Sequence, residues 1–263
     1  NYHAFWRGFF VLYGKFCKYF IIFEKRNKDS PIPPILDGLD KVCFANKRAS
    51  GQLKKETMTD KILIEQIRKP TKDNPLKILM SACLTGLKCG YDGSSYGEYP
   101  SALKLLTFDK VKTVRFCPEE FSFGTPREMC DIHGGTGLDV LNGKAKVLTE
   151  SGMDWTEGMI KASKKMLEIA ITEKVEIVIM MDTSAACGSQ VIYDGNRFDS
   201  NKKYQIGMGV CAAQLKRNGF LVISQRDFAS LEVLYSKIDD NYQIDKQKVD
   251  HHETEWYKNY FQK

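Results

Sequence analysis

The sequence predicts an α/β fold, with a mostly parallel central sheet flanked by helices in a Rossmann-like three-layer arrangement, formed by a single domain over residues 58–263. Three observations predict it. Short runs rich in apolar and β-branched residues, bounded by polar or turn residues, recur along the chain. Helical patterns lie between them, and strands that alternate with helices build parallel sheets. At 263 residues the chain suits one α/β domain with an appendage. Its 43% hydrophobic and 27% charged content is that of a globular protein. No uncharged apolar run reaches the roughly 18 residues that a membrane span needs.

Four strands are expected, in chain order. Leu76 to Ala82 (LKILMSA), Val111 to Phe116 (VKTVRF), Val175 to Met181 (VEIVIMM) and Phe220 to Ser224 (FLVIS) read as buried strands. Between the second and third, Asp154 to Thr172 places Met159, Ala162, Met166, Ile169 and Ala170 on one helical face. A second helix is expected near Gly207 to Arg217, stopped by Asn218-Gly219. The aromatic residues Trp256, Tyr257, Tyr260 and Phe261 are expected to pack a last helix on the body. Cys130 and Cys211 read as packing residues, and His133, His251 and His252 lack metal-ligand spacing with one another.

Residues 1–57 differ in kind. Ten of the 30 aromatic residues fall between Tyr2 and Phe23, and Ser30-Pro31-Ile32-Pro33-Pro34 separates that stretch from a polar one ending at Thr57. The apolar spacing is that of an amphipathic surface helix, but the uncharged stretch is too short for a good signal peptide. The segment is expected to be an N-terminal extension outside the native protein, with Met58 as the true start; a membrane-surface extension is the rival expectation. It also holds the charge imbalance. Residues 1–57 contain 11 basic and 5 acidic residues, and the remainder holds 28 of each. A neutral body offers no general attraction to a polyanion, which excludes duplex nucleic acid as the main partner. Eight cysteines in a chain of this length, with no convincing leader, read as buried, metal-binding or reactive thiols in a reducing cytoplasm.

The chemistry is expected where the strands end. The first runs into Cys83, the second into Cys117-Pro118-Glu119, and the third into Asp182 through Ser184 to Cys187-Gly188. Open α/β sheets place their ligand crevice at the carboxyl edge, so three thiols distant in sequence can converge there. On spacing alone this stands level with three ordinary buried cysteines. The chain has no CxxC pair, which argues against a structural zinc knuckle. Three convergent thiolates would suit a [4Fe-4S] cluster with one iron left open as a Lewis acid. Cys89, six residues after Cys83, reads either as a rival or fourth ligand or as a resolving thiol.

The motifs resemble a known family. They are Ser81-Ala82-Cys83-Leu84 through Cys89-Gly90-Tyr91-Asp92-Gly93, Cys117-Pro118-Glu119, Gly124-Thr125-Pro126-Arg127, the stretch Gly134 to Thr149, and Ser184 to Gly188 before Ile192-Tyr193-Asp194-Gly195. Together, over Leu76 to Gln225, they are similar to a bacterial family long described as a domain of unknown function, whose understood members are thiouracil desulfidases. The resemblance implies a [4Fe-4S] cluster held by Cys83, Cys117 and Cys187, with the substrate's thiocarbonyl sulfur on the fourth iron. It also implies that Glu119 and Ser184 lie close to the reacting carbon. Two departures stand out. Ala185-Ala186 replace the Pro-Ser of the family's third motif, and Gly90 replaces an Arg.

The chemistry implied is non-redox C–S cleavage on a small thiolated pyrimidine-like base or nucleoside. Glu119 would take a proton from water and Ser184 would position that water or relay a proton. The ordinary readings beside these are a loop carboxylate and a turn hydroxyl. Arg127 reads equally as an orienting donor or a structural ion pair, and Tyr91-Asp92 as a turn. Two other functions compete: a thiol redox or sulfur-carrier protein using Cys83 and Cys89, and a noncatalytic metal-binding module.

Overall fold

The structure, a computed structural model, describes residues 60–95 and 99–262. The expectations for residues 1–57 therefore lie outside the described residues. Four parallel strands form the central sheet: β1 (Leu76–Ser81), β2 (Val111–Phe116), β5 (Ile177–Met180) and β8 (Val222–Ser224), in the order β2-β1-β5-β8. All four match predicted runs. β5 and β8 are shorter than the runs because hydrogen-bonded register holds only from Ile177 and Val222.

Alternation along these strands decides which helix covers which face. Leu76, Ile78, Met80, Ile177, Ile179 and Ile223 point into one core, against α1 (Asp60–Gln66), α2 (Pro100–Leu106) and α7 (Phe228–Ile238). Leu79, Val178, Met180 and Val222 point into the other, where α5 (Thr156–Thr172) and α6 (Val210–Arg217) pack. The result is the expected three-layer α/β domain. β2 is an edge strand and is only partly buried, with Lys112 and Arg115 exposed as befits an unpaired edge. Among the described residues no helix is long and apolar enough to cross a membrane.

α5 buries Met159, Ala162, Ser163, Met166 and Ala170, close to the predicted face. α6 starts at Val210 rather than Gly207. Residues 207–209 are drawn out of the helix because Gly207 N and Gly209 N donate to the carbonyls of Gln190 and Gly188. It ends at Asn218 as predicted, with Gly219 at φ 87° taking the left-handed position that closes a helix. α8 (Glu255–Phe261) forms the expected C-terminal aromatic helix.

Two antiparallel hairpins lie outside the predicted set. β3 (Cys130–His133) pairs with β4 (Lys146–Thr149), and β6 (Val191–Asp194) pairs with β7 (Lys203–Ile206). At four residues a strand, neither offers the long apolar run by which the parallel strands are recognised. The remaining helices, α3 (Pro118–Phe123) and α4 (Gly137–Leu141), are short connectors.

Candidate active site at the carboxyl edge of the sheet

The chain lays β2 on one side of β1 and β5 on the other, so connections leave in opposite directions between β1 and β5. Such a switch point opens a crevice at the carboxyl ends of the strands. A pocket of about 150 Å³ lies there, and its lining includes Cys83 after β1, Cys117 and Glu119 after β2, and Ser184 and Cys187 after β5. All five residues singled out from the sequence thus reach one cavity. Cys89, Cys130, Arg127, Tyr193 and Arg197 also line it.

Each strand end is held by its own device. After β2, Pro118 opens α3 and the Cys117 sulfur caps it, accepting from Glu120 N at 3.4 Å. This turns Glu119 into the pocket. After β5, the fully buried Asp182 carboxylate accepts from the backbone N–H groups of Ser189, Gln190 and Val191, and its other oxygen meets His251 Nδ1 at 2.6 Å. Burial alone would push this carboxyl up, but the His251 contact and the Val191 and Gln190 donors more than offset it and hold it low. Asp182 thereby fixes the loop that carries Cys187. The same loop holds Thr183 at φ 60°, a strained conformation for a β-branched residue. It is clasped from above by α6, where Val210 N and Cys211 N donate to Ala185 O and Ala186 O. The approach needs Gly209, since a Cβ there would lie 2.6 Å from the Ala186 backbone.

The polar pair sits between these two ends. Ser184 Oγ donates to Glu119 Oε1 at 3.2 Å and accepts from Ala186 N and Cys187 N at 3.2 and 3.1 Å. Ser184 is therefore both the turn hydroxyl of the ordinary reading and a partner of Glu119. Glu119 Oε2 meets Arg127 Nη2 at 3.1 Å, and Arg127 is itself buried. Arg127 also donates to the carbonyls of Cys89, Gly90 and Gly124. Of its two sequence readings the structure realises the ion pair: it holds Glu119 and ties down the Cys89–Tyr91 loop. Tyr91 and Asp92 form the expected turn, with Asp92 accepting from Ser94 N and Oγ. A Cβ at Gly90 would lie 2.6 Å from Ser94 O, so this loop conformation leaves no room for a side chain there.

The thiols resist ionising. Burial, then the Cys117 and Glu119 charges, push Cys83 up to about 12. A hydrogen bond with Cys89, then burial and Glu119, raise Cys117, and burial with Cys211 and Cys83 raises Cys187 well above the thiol norm. A reactive thiolate needs the opposite surroundings. Three thiols, Cys187 buried and Cys83 and Cys117 half-buried, line one pocket and form a donor set for a thiophilic metal group, so the residues present fit an iron–sulfur cluster.

Cys211 is a packing residue, as expected, while Cys130 is buried yet also lines the pocket. Cys89 lies beside Cys117, with both sulfurs and a Glu120 oxygen within 4.8 Å of one another. His251 has a structural partner in Asp182. Sequence reasoning named Tyr193 and Asp182 only within motifs, with no role for either, and missed Arg197. Tyr193 and Arg197 ride on the β6–β7 hairpin, which it did not foresee, and the Ile192–Gly195 motif just before Arg197 was the one visible signal.

Comparisons with known proteins agree with this placement. The 2-thiouracil desulfurase family matches residues 78–227. The uncharacterized protein YbbK of Bacillus subtilis (strain 168) is 44% identical over 151 residues, which is 57% of this chain and 96% of YbbK. The solved structure of the [4Fe-4S]-dependent thiouracil desulfidase TudS (DUF523Vcz) is 30% identical, with a TM-score of 0.50 over 62% of this chain and 99% of that one. The matched span runs from β1 past β8 and contains every strand end that lines the pocket, and on that span the chain belongs to the 2-thiouracil desulfurase family.

Proposed function

We propose that the protein is a [4Fe-4S]-dependent desulfidase that converts the thiocarbonyl of a small thiolated pyrimidine-like base or nucleoside to a carbonyl, with release of sulfide. One observation carries this reading: three strand-end cysteines and the Glu119–Ser184 pair line the same pocket. The likeness to TudS, which is [4Fe-4S]-dependent, supports the cofactor. Cys83, Cys117 and Cys187 would hold the cluster. When bound, it would supply a soft Lewis acid that polarises a thiocarbonyl.

The chain's own residues supply the rest. Arg127 fixes one oxygen of Glu119, leaving the other to face Ser184 and the pocket. Glu119 accepts a proton from water as its oxygen bonds to the thiocarbonyl carbon, and returns it to the departing sulfur. Ser184, its oxygen held by two backbone donors, keeps that carboxylate aligned and orients the water. The water oxygen becomes the carbonyl oxygen and both of its protons leave with the sulfur. Carbon and sulfur keep their oxidation states, so the cleavage needs no oxidant or reductant. Anaerobically prepared protein is expected to be brown and to release sulfide from 2-thiouracil. Colourless protein that remains active would remove the cluster from the account.

A second reading, thiol–disulfide chemistry, for which the sequence offered Cys83 and Cys89, draws on the contact of Cys89 with Cys117. It predicts a metal-free protein in which mild oxidation by a low-molecular-weight disulfide consumes these two thiols together.

A further inference from the structure

One wall of the pocket takes no part in the hydrolysis. It is made by Arg197 and Tyr193, which line the cavity from the β6–β7 side. Arg197 is fixed in place. Its Nε donates to both oxygens of Asp131 at 3.0 and 2.9 Å, its Nη2 donates to Asp131 Oδ1 at 2.7 Å and to Cys130 O at 3.1 Å, and its backbone N donates to Asp131 Oδ2 at 3.0 Å. Asp131 is buried on β3. Gly195 N adds a bond to Ile132 O, so the turn after β6 is docked on β3. The guanidinium lies over the Tyr193 ring, 4.8 Å from its centroid.

This anchoring uses two of the three guanidinium nitrogens. Nη1 has only the Met129 thioether, at 3.8 Å, a weak acceptor. An arginine clamped by a buried carboxylate, stacked on an aromatic ring and left with one poorly paired N–H₂ at a pocket wall has the form of a recognition group.

Charge decides what it recognises. Arg197 is neutralised by Asp131 and Arg127 by Glu119. No cationic excess remains for a phosphate dianion, whereas a neutral carbonyl oxygen needs only the donor. We propose that Arg197 Nη1, backed by the Tyr193 ring, is a specificity subsite that donates a hydrogen bond to a neutral carbonyl oxygen of the substrate ring, and so selects thiobases that carry a second, unthiolated carbonyl over those that lack one. The inference rests on the desulfidase reading for its substrate class, but its test does not require turnover.

Equilibrium dialysis with non-reacting ligands supplies that test. The cluster-loaded protein should bind uracil more tightly than pyrimidin-2-one, which lacks the second carbonyl, by roughly 10- to 100-fold, the worth of a hydrogen bond to a charged donor. Arg197→Met should bring the ratio close to one. Because that change leaves Asp131 buried and unpaired, Arg197→Lys is the companion variant: it keeps a cation for Asp131, lacks the third nitrogen, and should lose the ratio while melting near the parent temperature. Uridine monophosphate should bind no more tightly than uridine. An unchanged uracil ratio in both variants, no preference in the parent, or a phosphate preference lost with Arg197 would each overturn the subsite. If the parent shows the Arg197-dependent ratio but releases no sulfide from 2-thiouracil, the subsite stands and the desulfidase reading fails.

Discussion

On one face of the central sheet, Ile78, Met80, Ile177, Ile179 and Ile223 pack against Leu105, Leu231 and Leu234, and the described buried core there holds no cysteine. On the other face, Leu79, Val178 and Met180 share their core with Cys130, Cys187 and Cys211. The same strands supply both faces, because successive residues point to opposite sides. The first face is closed by three helices whose apolar stripes match it. The second is closed toward the carboxyl edge by loops and hairpins, whose backbone groups must be satisfied one at a time by Asp182, Ser184, Arg127 and Asp131. Both faces are packed, but only the second also carries sulfur and charge at its carboxyl edge.

The sharpest way to break this contrast is to remove sulfur from the second face. Cys83→Ser, Cys117→Ser and Cys187→Ser are each expected to lose most bound iron, whereas Cys130→Ser and Cys211→Ala retain it, as measured by iron and acid-labile sulfide on anaerobic protein. Cys130 is the stringent control because it lines the same pocket. Full retention in one of the first three would replace that residue by Cys89 in the ligand set.

Next in size is the proton chemistry. Glu119→Gln is expected to keep iron but lower turnover by about 10²-fold or more, the loss of a positioned base. It also turns an ion pair with Arg127 into a neutral contact, so substrate binding should be measured beside the rate. Ser184→Ala is expected to lower turnover by a similar or smaller factor, since it removes a donor to Glu119 and an acceptor for two backbone N–H groups.

The plain face gives the reverse signature. Ile179→Ala, fully buried on β5, is expected to cost about 2–5 kcal/mol by leaving a cavity, while the protein that remains folded keeps its iron. Denaturant unfolding combined with iron content per folded molecule separates the two faces. Loss of iron in proportion beyond the loss of folded protein would show that the faces are coupled.

Legibility in the sequence divides along the same line. β1, β5 and β8 could be read because burial on both sides makes them nearly continuous apolar runs, β2 because its β-branched residues stand between polar and turn residues, and the α5 stripe because its period is unbroken. The strand-end cysteines and Glu119 could be placed because the rule for open sheets needs only the ends of those strands. The Arg197–Asp131 clamp could not: its partners are 66 residues apart and meet only when two hairpins of four-residue strands dock. The link from His251 to Asp182 spans 69 residues and was hidden for the same reason, since spacing among histidines says nothing about a distant carboxylate. Cys89 was legible as a rival thiol but not as the neighbour of Cys117, which depends on a loop folded by Arg127.

The smallest expected effect concerns Asp227, which joins the two sides by accepting from Gln190 of the Cys187 loop and from Ser224 of β8. Burial is the main reason its carboxyl is pushed up to about 6. A folded-state value above the unfolded one means that the native protein holds the proton more tightly. Its contribution to stability is present in full below about pH 4 and is lost as pH rises through about 6. Asp227→Asn should flatten the pH dependence of the melting temperature in that window and leave iron content unchanged.

The most direct test of the central claim, hydrolytic removal of sulfur at this pocket, is the fate of solvent oxygen. Turnover of 2-thiouracil by the cluster-loaded protein in water enriched in oxygen-18 should place one labelled oxygen in each uracil formed, matched by one sulfide released. A product without solvent oxygen, or sulfur removal that requires an added reductant, would contradict the account.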